Sequence, residues 1–315
     1  MRTDSTAVLT IDVEEWFHAH NYRDEVDPTT WEGRPRRAGT GVDPLLRLCE
    51  SLGIRATWFV LGWTAERDPA LVREIADAGH EIGCHTYAHP VAFEQTPEEF
   101  REDARRGRAA VGDALGHAPE AYRAASFTIL PQNYWALEIL REEGFRVDSS
   151  LFPVAHPRYG NPQGPREPFR LGRGDDDDLL VLPMTTLRMF GRNLPFSGGG
   201  YFRLFPLPLL DWCRRRVQRR QGEPVVYYFH PWELDSYRPE VDLGFLQNLR
   251  SQGGKQDLYA KLERALGGQT LVTIGEYADR VRAEAPVFAD VDAVPPVGGH
   301  GGASGAAPAV SGSAS

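Results

Sequence analysis

Three cysteines in 315 residues, Cys49, Cys84 and Cys213, are too few and too scattered for a disulfide framework. No CxxC pair occurs, which argues against a structural zinc knuckle. Reduced thiols suit a cytoplasmic protein. No apolar run approaches the roughly 20 residues that a membrane helix needs. The opening stretch MRTDSTAVLTIDVEEWFH lacks a long apolar segment and does not read as a signal peptide. A soluble, cytoplasmic protein is expected, touching a membrane only through partners. Basic excess is also missing: the net charge is −9, which argues against nucleic acid as a partner. There is no GxxxxGK[ST] phosphate loop, no GxSxG nucleophile elbow and no solenoid repeat.

What is present is an ordinary globular composition, 41% hydrophobic and 25% charged. AVLTIDV (7–13) is β-branched and reads as a buried strand. VDPLLRLCESLGI (42–54) has helical spacing, with Asp43 as the expected N-cap and Gly53 as the stop. RATWFVLG (55–62), EIGCH (81–85), AYRAAS (121–126) and RVDSS (146–150) read as further strands. Between them lie helical patterns at 69–80, 96–116 and 133–145. Repeated strand–helix units predict an α/β fold with a parallel sheet, closed as a barrel. Residues 151–200 are richer in Pro and Gly and read as elaborated loops, with one strand at 179–189. A helix (207–222), a buried strand running into His230 (224–235), another helix (256–268) and a closing segment (270–281) follow. Residues 1–285 are expected to form the catalytic domain, with a distinct C-terminal half from about 150. Residues 286–315 are expected to be a disordered Gly/Ala/Pro/Ser-rich tail.

Four places can carry chemistry. GHEIGCHTYAHP (79–90) places His85 and His89 four apart. Neutral imidazoles at that spacing can chelate a divalent ion, or simply be solvated histidines. Pro90 stops a helix there, so a single turn at a strand end is expected. His80 reads better as a cap or core hydrogen bond. In TIDVEEWF, strand alternation puts Asp12 and Glu14 on one face and Val13 opposite. One carboxylate can bind a metal while the other acts as a base, and the C-terminal end of a barrel's first strand is where such groups sit. His230, in YYFHPWE, ends an apolar strand and is a candidate general acid. Arg123 is either a fork that orients a carboxylate or a surface ion pair. The glycines of SGGGYFR (197–203) are expected to allow a tight turn near the cleft. DDDD (175–178) reads as a solvated turn.

Taken in order, LTIDVEEWFHAHNY, GHEIGCHTYAHP, YRAASFTI, GFRVDSSLFP, LPFSGGGYFRLFP and YYFHPWELD resemble the polysaccharide deacetylases of the NodB-homology type, the fourth carbohydrate esterase family. The chain is most similar to the exosortase-associated (PEP-CTERM) members, over about residues 7–280. The resemblance implies a distorted (β/α) barrel of about seven units and a divalent metal, usually Zn²⁺. It implies that His85 and His89 are metal ligands, Asp12 the base, Arg123 its orienter and His230 the acid. Many members carry two adjacent Asp residues in the first motif. Val13 stands at the second of these positions here, which points to Glu14 as the third ligand. Asp148, Tyr201 and Trp232 belong to the substrate site in this reading, Asp148 as a wall or support residue, and Trp58 and Phe202 are further aromatic candidates, with Trp58 better suited to the core. The activity implied is removal of N-acetyl groups from a polysaccharide, in exopolysaccharide biosynthesis, with a polysaccharide assembly system as a partner. Two rivals are a cyclic-amide hydrolase of the allantoinase type and a non-catalytic, metal-containing glycan-binding protein.

Overall fold

The computed structural model describes residues 6–295 apart from 157–158, 174–176, 222–223, 242–243, 245–247 and 249–250. Its strands, in chain order, are β1 (Thr6–Val13), β2 (Thr57–Val60), β3 (Glu81–Cys84), β4 (Ala121–Tyr122), β5 (Val147–Asp148) and β6 (Phe169–Leu171). Then come β7 (Leu179–Val181), β8 (Leu187–Met189), β9 (Arg192–Leu194), β10 (Val225–Phe229), β11 (Thr270–Val272) and β12 (Val287–Phe288). The helices used below are α1 (Ala38–Leu52), α2 (Gly62–Arg67), α3 (Pro69–Asp77), α4 (Pro97–Leu115), α5 (Trp135–Glu142), α6 (Gly199–Leu204) and α7 (Leu207–Gln221).

Strand β1 sets the layering. Ala7, Leu9, Ile11 and Val13 face a cluster shared with α1, α3 and α7. Val8 faces the other way, into a cluster with Phe59, Ala121, Leu180, Val226 and Tyr228 from the other strands. That second cluster is the barrel interior. With a side-chain period of two, Thr10 and Asp12 stack above Val8 on the interior face.

The order β10–β1–β2–β3–β4–β5–β7 is parallel throughout, which matches the expected barrel of about seven units. Among the described residues no ladder joins β7 to β10, and β7 pairs with β6 instead. A side chain that follows β7 bridges to β10. The Thr185 hydroxyl accepts from Val226 N (2.9 Å) and donates to Pro224 O (3.2 Å). The barrel is therefore distorted rather than evenly closed.

Several expectations need correction. Helix α1 starts at Ala38, and Asp43 lies inside it rather than capping it. The carboxylate that meets its first turn is Glu15, which accepts from Arg37 N (2.7 Å) and Ala38 N (3.1 Å). A cap supplied from twenty residues away leaves no local spacing signal. The stretch 179–189 is two strands, β7 and β8, in different sheets. Residues 286–295 are not all tail, since β12 pairs in parallel with β6 and extends the sheet. The rest of the expected tail, 296–315, lies outside the described residues. Of DDDD, Asp175 and Asp176 lie outside the described residues and Asp177 is exposed in a turn as expected, but Asp178 is buried and ion-paired with Arg170 (3.1 Å) and Arg282. The three cysteines are buried and free. No described helix is long and apolar enough to cross a membrane.

Candidate active site

Each candidate residue sits one pleat beyond an interior position at the C-terminal end of its strand. Asp12 follows Thr10, His85 follows Gly83, Arg123 follows Ala121, and His230 follows Tyr228. Register brings them level, because Val13, Val60 and Cys84 are paired in succession and Cys84, Tyr122 and Asp148 continue the row. The strand ends thus converge on one mouth, as barrel enzymes arrange their chemistry.

Arg123 is fully buried, so it is no surface pair. Its Nη1 donates to Asp12 Oδ1 (2.7 Å) and to Thr10 Oγ1 (2.8 Å). Its Nε donates to Ser149 O (3.1 Å), and Phe59 lies under the guanidinium at 4.3 Å. Burial pushes the Asp12 carboxyl up. Arg123, His85 and His230 more than offset this, and the net shift is downward. Asp12 is therefore held as a carboxylate with one oxygen occupied by Arg123.

The residues between 85 and 89 form a strained loop rather than a helical turn. Thr86 has φ 65° and His89 φ 59°, both in the left-handed region. The loop is held from several sides. Gly62 N donates to Thr86 O (3.0 Å), Trp63 N to Tyr87 O (2.8 Å) and His89 N to Thr86 Oγ1 (3.0 Å). Gly107 of α4 packs directly beneath, where a Cβ would stand 2.7 Å from the Thr86 carbonyl.

One ligand atom from each of Glu14, His85 and His89 lies within 4.8 Å of the others. His85 Nδ1 is 2.8 Å from Arg123 O. Donation to that carbonyl leaves Nε2 as the unprotonated ring nitrogen. Burial holds His85 below the usual imidazole range and His89 well below it, so both are neutral and ligand-competent. Glu14 Oε1 accepts from Trp232 Nε1 (2.9 Å). Its Oε2 is buried with no hydrogen-bond donor and lies 3.1 Å from His89 Nε2. Burial raises the Glu14 carboxyl to about 7. An uncompensated buried carboxylate beside two neutral imidazoles fits a divalent cation. Val13 is fully buried on the opposite face and is unavailable to it.

His230 Nε2 points towards the carboxylates, 3.9 Å from Asp12 Oδ2 and 3.8 Å from Glu14 Oε1. Behind it stands Glu233, which the sequence reading missed. Glu233 Oε2 accepts from His230 N (3.0 Å) and lies 3.3 Å from His230 Nδ1. Glu233 Oε1 in turn accepts from Arg203 Nε (3.1 Å). Both Glu233 and Arg203 are buried. Burial opposes the charge on His230, but Glu233, Glu14 and Asp12 raise it to about 9. Burial likewise opposes the charge on Glu233, and His230 with Arg203 brings it down to about 2. Gly198 and Gly199 of SGGGYFR serve close approach at the start of α6. A Cβ on Gly199 would stand 1.9 Å from Glu233 Oε2, and one on Gly198 2.2 Å from the Tyr228 ring.

Three expected substrate contacts fare differently. Asp148 is fully buried, hydrogen-bonded to Ser150 N (3.1 Å) and Ser150 Oγ, and is a support rather than a lining residue. Trp232 is half-buried; its N–H holds Glu14 and its ring stacks on His230 at 5.0 Å. Tyr201 is half-buried against the helix-side core, with Phe205 at 5.8 Å. Trp58 and Phe202 are buried core residues. His80 Nδ1 accepts from Ala56 N (3.3 Å), a core role.

Residues 29–146 match the family model for polysaccharide deacetylases, and residues 149–279 match a domain of unknown function, DUF3473. The histidine loop and Arg123 lie in the first segment; Arg203, His230, Trp232 and Glu233 lie in the second. A peptidoglycan-N-acetylglucosamine deacetylase from Bacillus cereus is 37% identical over 86 residues, 27% of this chain and 31% of the relative. A peptidoglycan deacetylase from Helicobacter pylori is 29% identical over 145 residues, 44% of this chain and 46% of the relative. The chain thus spans less than half the length of these curated relatives. Two solved structures share the fold. One is a Mycobacterium smegmatis protein assigned to the polysaccharide deacetylases, with TM-score 0.59, 23% identity and coverage of 90% of this chain and 93% of that one. The other is the allantoinase PuuE, with TM-score 0.55, 15% identity and coverage of 88% and 90%. Residues 29–146 thus carry a polysaccharide deacetylase domain.

Proposed function

We propose that the protein is a metal-dependent hydrolase that removes N-acetyl groups from N-acetylated sugars of a polysaccharide. The observation that carries this reading is a buried, Arg-held carboxylate (Asp12) and a half-buried, Glu-held imidazole (His230) 3.9 Å apart, beside the Glu14, His85 and His89 cluster. A single site thus offers a base, an acid and a cation cradle.

Glu14, His85 and His89 would hold the ion, and two imidazoles with one carboxylate suit Zn²⁺. Bound there, it would supply Lewis-acid polarisation of the acetamido carbonyl and ease ionisation of the attacking water. Asp12 takes a proton from that water through Oδ2, the oxygen Arg123 leaves open. Arg123 keeps Asp12 ionised and fixes its orientation. His230 carries a proton on Nε2 and delivers it to the sugar nitrogen as the C–N bond breaks. Glu233 orients His230 through Nδ1, and Arg203 orients Glu233. The products are acetate and a free amino sugar. Trp232 fixes Glu14, and the half-buried rings of Trp232 and Tyr201 are the aromatic surfaces offered to a sugar ring. A place in exopolysaccharide biosynthesis, beside a polysaccharide assembly system, is part of this reading and rests on the sequence resemblance. So does the extent of the catalytic domain, which is extended here through β12.

The test is acetate release from N-acetylglucosamine oligosaccharides against ring opening of allantoin, with zinc present. Turnover of the sugars and not of allantoin is expected. Allantoin turnover alone gives the site to ring amides, and saturable sugar binding without acetate release gives it to a binding protein.

A further inference from the structure

Among the described residues, Phe190 in the β8–β9 turn is the most exposed large apolar side chain (92%), but four others are concentrated in one place. Leu204, Phe205, Leu209 and Trp212 are exposed by 45%, 37%, 41% and 45%. They lie within a single stretch at the junction of α6 and α7. On α7, Leu210, Cys213 and Val217 form the buried stripe. Leu209 and Trp212 lie on the outer face at helical spacing, and the same stripe continues through Arg216 and Arg219. Arg216 sits over the Trp212 ring at 5.5 Å. The sequence of α7 contains five arginines and one aspartate, in a chain whose net charge is −9. One helix face therefore changes from apolar and aromatic to cationic along its length, against the sign of the whole molecule.

We infer that this face docks on an anionic lipid surface. Trp, Phe and Leu beside Arg on one helix face is the composition of an interfacial helix, whose apolar side chains enter the headgroup boundary while guanidinium groups meet anionic headgroups. Charge decides for lipid over a protein partner. A field of anionic headgroups complements a stripe of this kind without needing a matching groove. The orientation is useful as well. Arg203, next to Leu204, bonds Glu233 behind the catalytic histidine, so the apolar end lies at the mouth of the barrel. A docked molecule would hold its catalytic end close to the surface.

The inference stands independently of the reaction proposed above. The test is co-sedimentation of the full chain with vesicles of equal parts phosphatidylglycerol and phosphatidylcholine, and with phosphatidylcholine alone. Binding to the anionic vesicles only, weakened by salt, is expected. Arg216→Ser with Arg219→Ser lowers partitioning roughly thirtyfold, from the usual contribution of a basic residue at such a surface. Leu209→Ser with Trp212→Ser abolishes it. All four positions are surface residues outside the set that forms the site, so acetate release from a soluble oligosaccharide and thermal unfolding stay as in the parent. Failure of the parent to bind, or binding unchanged in the arginine variant, overturns the inference. So does sedimentation velocity showing that Leu209→Ser with Trp212→Ser turns a dimer into a monomer, which would give the face to a second copy of the chain.

Discussion

Glu233→Gln separates the acid from the rest of the machinery. The substitution keeps the shape of a side chain that is 1% exposed but removes its charge. The lost carboxylate stands 3.3 Å from His230 Nδ1 and accepts from His230 N at 3.0 Å. With it gone, burial dominates at His230, and the group falls from about 9 towards or below the ordinary imidazole value. The imidazolium fraction at neutral pH drops, and the ring loses its orienter. A general acid contributes roughly 10²–10⁴-fold, and a loss in kcat of that order is expected for acetamido sugars. An aryl acetate needs no such help, because a phenolate leaves without a proton. Its hydrolysis should change by less than about threefold. Metal content should hold, since Glu233 touches none of the three ligands. Arg203 is left buried without its carboxylate, and some thermal stability is lost with it. Measuring both substrates at matched metal content decides the matter. Equal losses on the two would refute the acid role and leave Glu233 as a structural residue; no loss on either would refute the relay altogether.

Three further outcomes follow from the geometry. Trp232→Phe keeps the stack on His230 but deletes the N–H on Glu14 Oε1, so zinc affinity should fall roughly 10–100-fold in a chelator competition. Gly199→Ala places a methyl 1.9 Å from Glu233 Oε2, and about 1–3 kcal/mol of overpacking should appear in denaturant unfolding, with loss of sugar turnover. Asp103 is raised to about 6, chiefly by burial, although it accepts from Tyr87 N (3.2 Å). A raised acid stabilises the fold below its unfolded value near 3.8 and loses that contribution as pH climbs through about 6. Asp103→Asn should therefore flatten the stability curve across that window; an unchanged slope between pH 4 and about 6 would contradict the shift.

The parts legible in the sequence are those that repeat locally. Strand alternation placed Asp12 and Glu14 together and sent Val13 to the outer core, because a period of two survives folding. The strand-and-helix rhythm indicated a parallel barrel, and His85, Arg123 and His230 each sit where a strand runs out, with His89 in the loop that follows His85. The parts that were hidden are long-range. Glu15 meets the first turn of α1 across some twenty residues, so Asp43 looked like the cap. Arg203 reaches Glu233 across thirty positions, and Glu233 was read only as part of a motif. Asp148 could be a wall or a support residue, because strand-end position says nothing about whether other elements close over it; its full burial makes it a support. Residues 286–288 carry no strand pattern of their own; pairing with β6 makes β12.

The central claim is a sugar deacetylase that needs both the ion held by Glu14, His85 and His89 and the carboxylate of Asp12. The most direct measurement is acetate released from N-acetylglucosamine oligosaccharides by the parent and by Asp12→Asn, each stripped with chelator and reloaded with zinc, with bound metal quantified in every sample. The expected result is release by the parent only when reloaded, and a loss of at least roughly 10²-fold in Asp12→Asn at equal zinc content. Release that persists without metal, or an Asp12→Asn enzyme as fast as the parent, would contradict it.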